Sequence, residues 1–284
     1  MIEATNFGGL PAECNRADTA KIVIVPVPYD GTSTYMKGAD KGPEAIIRAS
    51  GNMELYDIET DSQVYHEGIF TDEPVDSGPD VGKMVKAVER RVNNHLASDK
   101  FVVVLGGEHS VSVGTVQAHA RKYPGMTVLQ LDAHSDLRSE YEGSKYNHAC
   151  VMARVREMCP IVQVGIRSMD ISEKPAMDRK RVFLAEDLHA GNASVEDIMG
   201  MLTDQVYITI DLDVFDPSIM PSTGTPEPGG LLWYDVLDLL QRVCCRSTVV
   251  GFDVVELCPV ETNWGPDFMA AKLIYKLLTY RFRG

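Results

Sequence analysis

Three apolar runs in this chain stop abruptly at side chains that bind cations. Val128-Leu129-Gln130-Leu131 leads into Asp132-Ala133-His134-Ser135-Asp136. Tyr207-Ile208-Thr209-Ile210 leads into Asp211-Leu212-Asp213, and Phe101-Val102-Val103-Val104-Leu105 into Gly106-Gly107-Glu108-His109. Unbroken β-branched and aliphatic runs of this length read as strands buried on both faces, the condition of a parallel sheet. Carboxylates and imidazoles cannot lie uncompensated inside such strands. Both demands are met if the polar groups sit at the carboxyl ends, where open α/β sheets bind their ligands. Alternate side chains of an extended chain share a face, so Asp132, His134 and Asp136 are expected to point the same way.

The remaining sequence alternates in the same style. Ile22–Val25 reads as a strand, which Pro26 and Pro28 are expected to stop. Pro43 opens a helix over 44–49, where its missing N–H costs nothing. Residues 64–70 read as a short strand. Val81, Met84, Val85, Val88, Val92 and Leu96 recur at helical spacing. Further helices are expected near 111–122, 149–158, 195–202, 231–243 and 268–280, and strands at 161–166, 182–184 and 248–255. Strands alternating with helices imply right-handed crossovers and a parallel sheet covered on both faces. Residues 1–20 lack periodicity and read as an N-terminal arm. No linker or shift in composition interrupts the rest, so the 284 residues read as one domain, 1–284.

Charge and cysteine usage narrow the function classes. A formal net charge of −14 argues against nucleic acid and anionic membrane as partners and favours a cationic ligand, though solubility alone would also account for it. No apolar run approaches the ~18 residues of a membrane span, and no basic segment followed by an apolar stretch opens the chain. The six cysteines lack C-x-x-C spacing, which disfavours a disulfide framework or zinc ribbon and points to reduced thiols in a cytoplasm.

His109, Asp132, His134, Asp136, Asp211 and Asp213 make four carboxylates and two imidazoles, too many ligands for one ion. Two divalent cations would balance the four negative charges. Oxygen-rich ligation with imidazole and no thiolate suits Mn²⁺ better than Zn²⁺. Two such ions, about 3.5–4 Å apart, can activate a bridging water near neutral pH. Taken singly, each stretch fits an ordinary helix cap or turn. The three together do not.

These stretches, with Ile210-Asp211-Leu212-Asp213-Val214-Phe215-Asp216-Pro217, Thr225-Pro226-Glu227-Pro228-Gly229-Gly230 and Gly251-Phe252-Asp253-Val254-Val255-Glu256, resemble the signatures of the arginase/agmatinase ureohydrolases. The resemblance runs in order over roughly residues 22 to 280. It implies a three-layer α/β/α fold with a mainly parallel sheet of about eight strands, and a dimanganese centre that hydrolyses a guanidino group to an amine and urea. By the same resemblance, His109, Asp132, Asp136 and Asp211 hold one ion, and Asp132, His134, Asp211 and Asp213 the other. Asp136 handles the proton of the attacking water, His148 shuttles protons, and Glu256 pairs with the substrate guanidinium. A planar guanidinium and a carboxylate form a bidentate pair, which fits that role. Relatives form trimers or hexamers, so a homo-oligomer is expected. His66, His95, His119 and His189 fall outside every motif and read as surface or structural.

Substrate choice rests on the segment 137–145, which lacks the Asn/Ser pattern of arginases and carries Glu140 and Glu142. It is similar to agmatinases. Tyr141 is expected to cover the methylene chain of agmatine, and Asp170 to lie near the substrate tail. The acids in this segment would also suit aminopropylagmatine and would disfavour guanidinobutyrate. Arginine, formiminoglutamate hydrolysis and an idle relative complete the alternatives. The retention of all six ligands speaks against the last.

Overall fold

The computed structural model of the chain describes residues 5–76 and 78–282. Eight strands form one sheet: β1 (Ile22–Val27), β2 (Ile69–Thr71), β3 (Phe101–Gly106), β4 (Thr127–Leu131), β5 (Ile161–Ile166), β6 (Val182–Leu184), β7 (Gln205–Asp211) and β8 (Thr248–Val255). Their order is β2-β1-β3-β8-β7-β4-β5-β6, and each adjacent pair runs parallel.

Eight α-helices cover the sheet: α1 (Gly42–Ser50), α2 (Val81–Ala97), α3 (Val111–Lys122), α4 (Val151–Val155), α5 (Ala185–His189), α6 (Val195–Met199), α7 (Trp233–Arg246) and α8 (Gly265–Phe282). Strand alternation divides the apolar side chains between two cores. Phe101, Val103 and Leu105 of β3 pack with Ile46 of α1, Leu240 of α7 and Ile274 of α8. Val102 and Val104 pack with Val88 of α2, Val116 of α3 and Val151 of α4. The result is the three-layer arrangement that buries both faces of a parallel sheet. Among the described residues, no helix is long and apolar enough to cross a membrane.

The chain passes from β3 to β4 by skipping two positions, which β7 and β8 later fill. Only after β6 does the chain reverse direction to insert them, and strands whose crossovers leave in opposite directions open a crevice at their carboxyl ends. Here it sets the ends of β3, β8, β7 and β4 side by side.

Several local expectations need correction. Pro26 does not stop β1, which stays paired with β3 through Val27. Partner β2 covers only Ile22 to Ile24, and beyond it the Pro26 carbonyl accepts the Val75 N–H at 2.9 Å. Residues 5–20 of the expected arm pack onto the fold: Phe7 is fully buried, and the Gly8 N–H donates to Ser50 Oγ at 2.8 Å. Residues 64–67 form a 3₁₀ turn closed by Gly68 at φ 76°, and only then does β2 begin. The helix expected over 149–158 is α4 alone, because the chain must straighten before Pro160 to enter β5. That expected over 195–202 ends at Met199, with Gly200 as its cap.

Candidate metal centre

Strand β3 delivers His109, β4 delivers Asp132, His134 and Asp136, and β7 delivers Asp211 and Asp213. All six converge. His109 Nδ1 lies 3.0 Å from Asp136 Oδ2, 3.2 Å from Asp132 Oδ2 and 3.4 Å from Asp211 Oδ2. His134 Nδ1 lies 2.8 Å from Asp213 Oδ2 and 3.7 Å from Asp132 Oδ1. Two groups have ligand atoms mutually within 4.8 Å: His109, Asp132 and Asp211, and Asp132, His134 and Asp213. Asp132 belongs to both.

Simple strand alternation does not produce this convergence. Strand β4 ends at Leu131, so Asp132, His134 and Asp136 occupy the loop beyond it, and Asp136 adopts φ 51°. The acids brace that loop themselves. The His134 N–H donates to Asp132 Oδ1 at 2.5 Å, the Ala133 N–H to Asp213 Oδ1 at 3.0 Å, and the Asp213 N–H to Asp211 Oδ1 at 2.9 Å. Gln130 Nε2 donates to Asp132 Oδ2 at 2.6 Å and is itself positioned by Gln163. Arg167 ties two loops together, donating from Nη2 to the Asp213 carbonyl at 2.6 Å and the Glu227 carbonyl at 2.8 Å.

The electrostatics call for added positive charge. Burial, with repulsion from Asp213 and Asp136, pushes Asp132 up to about 7. Burial also raises Asp211 and Glu256 well above the carboxylate range, aided by Asp213 and Glu108 respectively. Burial opposes charge on His134, yet Asp213 and Asp132 lift it to about 11. His109 is raised in the same way by Asp132, Asp136 and Asp211. A concentration of buried carboxylates is stable only if cations or protons share it.

The residues fit a divalent metal. His109 Nδ1 is buried without a hydrogen-bond partner although carboxylates surround it, as expected of a nitrogen whose lone pair is meant for an ion. Its other nitrogen, Nε2, meets Thr209 Oγ1 at 2.9 Å, and Thr209 donates to the buried Asp253 at 2.6 Å. That chain keeps the proton on Nε2 and leaves Nδ1 available. The donors are carboxylate oxygen and imidazole nitrogen, the set of a hard or borderline cation. Cys150, beside the site, contributes nothing to it: burial pushes its thiol up to about 11.

A cleft of about 170 Å³ opens over this cluster. His148, Glu256, Tyr141 and Asp170 line it. Tyr141 lies edge-on to His148, with ring centroids 6.2 Å apart, and its face is covered by the Arg138 guanidinium at 4.4 Å. Glu140 and Glu142 are exposed and do not line the cleft. A tight turn pairing Tyr141 with Ser144 directs them to solvent, so the acids that line the cleft besides Asp136, Asp211, Asp213 and Glu256 are Asp170 and Glu173. Glu173 is buried and accepts the Ser135 hydroxyl and the Leu137 N–H.

An all-parallel α/β/α sheet with a buried acid-and-imidazole cluster at its carboxyl ends defines a metal-dependent hydrolase. The profile of the arginase family matches residues 20–279. The chain belongs to that family. It is 41% identical over 272 residues to an N(1)-aminopropylagmatine ureohydrolase from Synechocystis sp., covering 92% of this chain and 89% of the relative. It is 32% identical to an agmatinase from Pyrococcus horikoshii, with 91% of both chains covered. An agmatine ureohydrolase of Thermoplasma volcanium superposes with a TM-score of 0.86 at 33% identity, covering 95% of this chain and 92% of that one.

Proposed function

We propose that this protein hydrolyses the guanidino group of N(1)-aminopropylagmatine to urea and the corresponding polyamine, with agmatine as a shorter second substrate. His109, Asp132, Asp136 and Asp211 would hold one Mn²⁺, and Asp132, His134, Asp211 and Asp213 the other. When bound, the two ions supply a water acidic enough to react near neutral pH. Glu256 pairs with the guanidinium and holds its central carbon at the cluster. The water oxygen bonds to that carbon and the bond to the alkyl nitrogen breaks. Asp136 takes the water's proton at its carboxylate and passes it to the departing amine. His148 exchanges protons between the cleft and solvent.

The observation that carries the substrate is the charge along the cleft wall, where Asp170 is half-exposed and Glu173 buried behind it. Asp170 and Glu173 face a single guanidinium, Arg138, at 3.8 and 3.2 Å. Two carboxylates against one cation leave a net negative charge, suited to an ammonium on the tail. Tyr141, Met36 and Met169 offer apolar surface to the intervening methylenes. The higher identity to the aminopropylagmatine enzyme than to the agmatinase supports the longer tail.

The test is urea release by the Mn²⁺-loaded protein from matched concentrations of aminopropylagmatine, agmatine, arginine and guanidinobutyrate. The highest kcat/KM is expected for aminopropylagmatine. Preference for agmatine would keep the chemistry and remove the extended tail. Preference for arginine or guanidinobutyrate, which carry carboxylates, would overturn the acidic-wall reading. The same reading carries a homo-oligomer, to be checked by light scattering on the eluted peak.

A further inference from the structure

Two polar groups beside the cleft have no part in the chemistry above. Glu108 is fully buried yet is no ligand of the cluster. Thr32 sits in the loop after β1, 116 residues from His148 in sequence, and meets its imidazole. Strands β1 and β3 are neighbours, so the loops that leave them pack together. The fit is close: a Cβ at Gly107 would lie 1.9 Å from the Tyr29 carbonyl oxygen, so only glycine is possible there. The Glu108 N–H donates to that same carbonyl at 2.8 Å, which fixes Glu108 against the β1 loop.

We propose that Thr32, anchored by Glu108, holds His148 in the tautomer that carries its proton on Nδ1 and leaves Nε2 as the basic nitrogen. This rests on the reading of His148 as the proton carrier. A threonine hydroxyl has one proton to donate and two lone pairs to accept with. Thr32 Oγ1 lies 2.9 Å from Glu108 Oε1 and accepts the His148 backbone N–H at 2.9 Å. His148 Nδ1 stands 3.2 Å away, opposite the lone pair that remains.

Two assignments are possible for the hydroxyl proton. Given to Nδ1, it would deprive a buried carboxyl of a donor that water cannot replace. Given to Glu108, it makes the closer bond, 2.9 Å against 3.2 Å to Nδ1, to an oxygen that the Ser110 hydroxyl already holds in place. Once it is spent there, only a protonated Nδ1 can bond to Thr32. Glu108 is further held by the Ser110 N–H at 2.9 Å and the Ser110 hydroxyl at 2.8 Å, so the anchor does not turn away. Thr32 and Glu108 are positioning residues. They decide which imidazole nitrogen can accept a proton, and the opposite tautomer presents a nitrogen that already bears one.

The experiment is steady-state urea release by Mn²⁺-loaded Thr32→Val, Thr32→Ser, His148→Asn and the Thr32→Val/His148→Asn double variant. Thr32→Val is expected to lower kcat about 10- to 100-fold with KM within about twofold of the parent. Thr32→Ser, which keeps the hydroxyl, should restore most of kcat. Adding Thr32→Val to His148→Asn should cost nothing more, because the two act as one unit. Thr32→Ala, which removes the same hydroxyl without the valine methyl, must repeat the Thr32→Val result. Parental kcat in both hydroxyl-free variants, beside a severely impaired His148→Asn, would overturn the positioning role while leaving His148 in place. A near-parental His148→Asn would overturn both. A full additional loss in the double variant would reduce Thr32 to a packing residue.

Discussion

The backbone N–H of His109 donates to Glu256 Oε1 at 2.7 Å, so the tip of β3 holds the carboxylate that β8 delivers. The Glu256 N–H in turn donates to the Gly107 carbonyl at 2.8 Å. One carboxylate oxygen is thereby committed to the protein, which leaves the other for the guanidinium contact proposed above.

Glu256→Gln separates charge from shape. The glutamine carbonyl can still accept the His109 N–H, so the loop should keep its conformation. The bond to a guanidinium loses its charge assistance. We expect kcat/KM for the preferred guanidine to fall about 10- to 100-fold, the usual worth of such a bond, with Mn²⁺ content unchanged. An unaltered kcat/KM would remove Glu256 from the substrate contact.

Asp132→Asn strikes the ligand shared by both groups of the cluster. With Asp132 a ligand to both proposed ions, its loss should weaken the two together. Metal analysis is expected to find less than one Mn²⁺ per chain, with urea release close to background. The parent should also melt at higher temperature when Mn²⁺ is added, because ions that bind only the folded chain stabilise it. The variant should lack that shift. Two retained ions with near-normal turnover would sink the dimetal reading.

His119 of α3 predicts a pH effect remote from the chemistry. Its Nδ1 meets the Thr115 carbonyl at 2.8 Å, while Nε2 has no partner. Burial pushes its pKa down to about 4 from an ordinary 6.5. The unfolded chain therefore takes up this proton first as pH falls. Stability attributable to neutral His119 is complete above about pH 6.5 and is lost progressively toward pH 4, a span of about 3 kcal/mol. Urea unfolding at pH 7.5 and 4.5 should show a smaller loss for His119→Leu than for the parent. Equal losses would show that His119 is not the titrating group.

Residue types and their order made the cluster legible before any geometry was known. An acid or imidazole that ends a buried apolar run needs a compensating charge nearby, and Asp132, Asp211 and His109 each repeat that demand. The conformation that brings Asp136 into the cluster was not legible. It depends on a turn at φ 51°, which no alternation of faces describes. Thr209 could have been found, since it lies two residues before Asp211 on β7 and so shares its face. Thr32 and Glu108 could not have been joined from sequence, because their contact exists only where two neighbouring strands end together. The acids in 137–145 misled for a related reason: composition gives a charge, and only the turn at 141–144 gives its direction.

Asp136 and Glu256 both hold positive φ, 51° and 66°, where side chains are unwelcome and glycine is at ease. Each such residue costs of order 1–3 kcal/mol, carried by the surrounding structure. A screen for heat resistance alone would thus reward glycine at Asp136, while at Glu256 the lost bond to the His109 N–H offsets the gain. If Asp136 is the proton carrier proposed above, the sturdier proteins would no longer turn over. Laboratory evolution of this chain toward higher temperature has to select for urea production in every round.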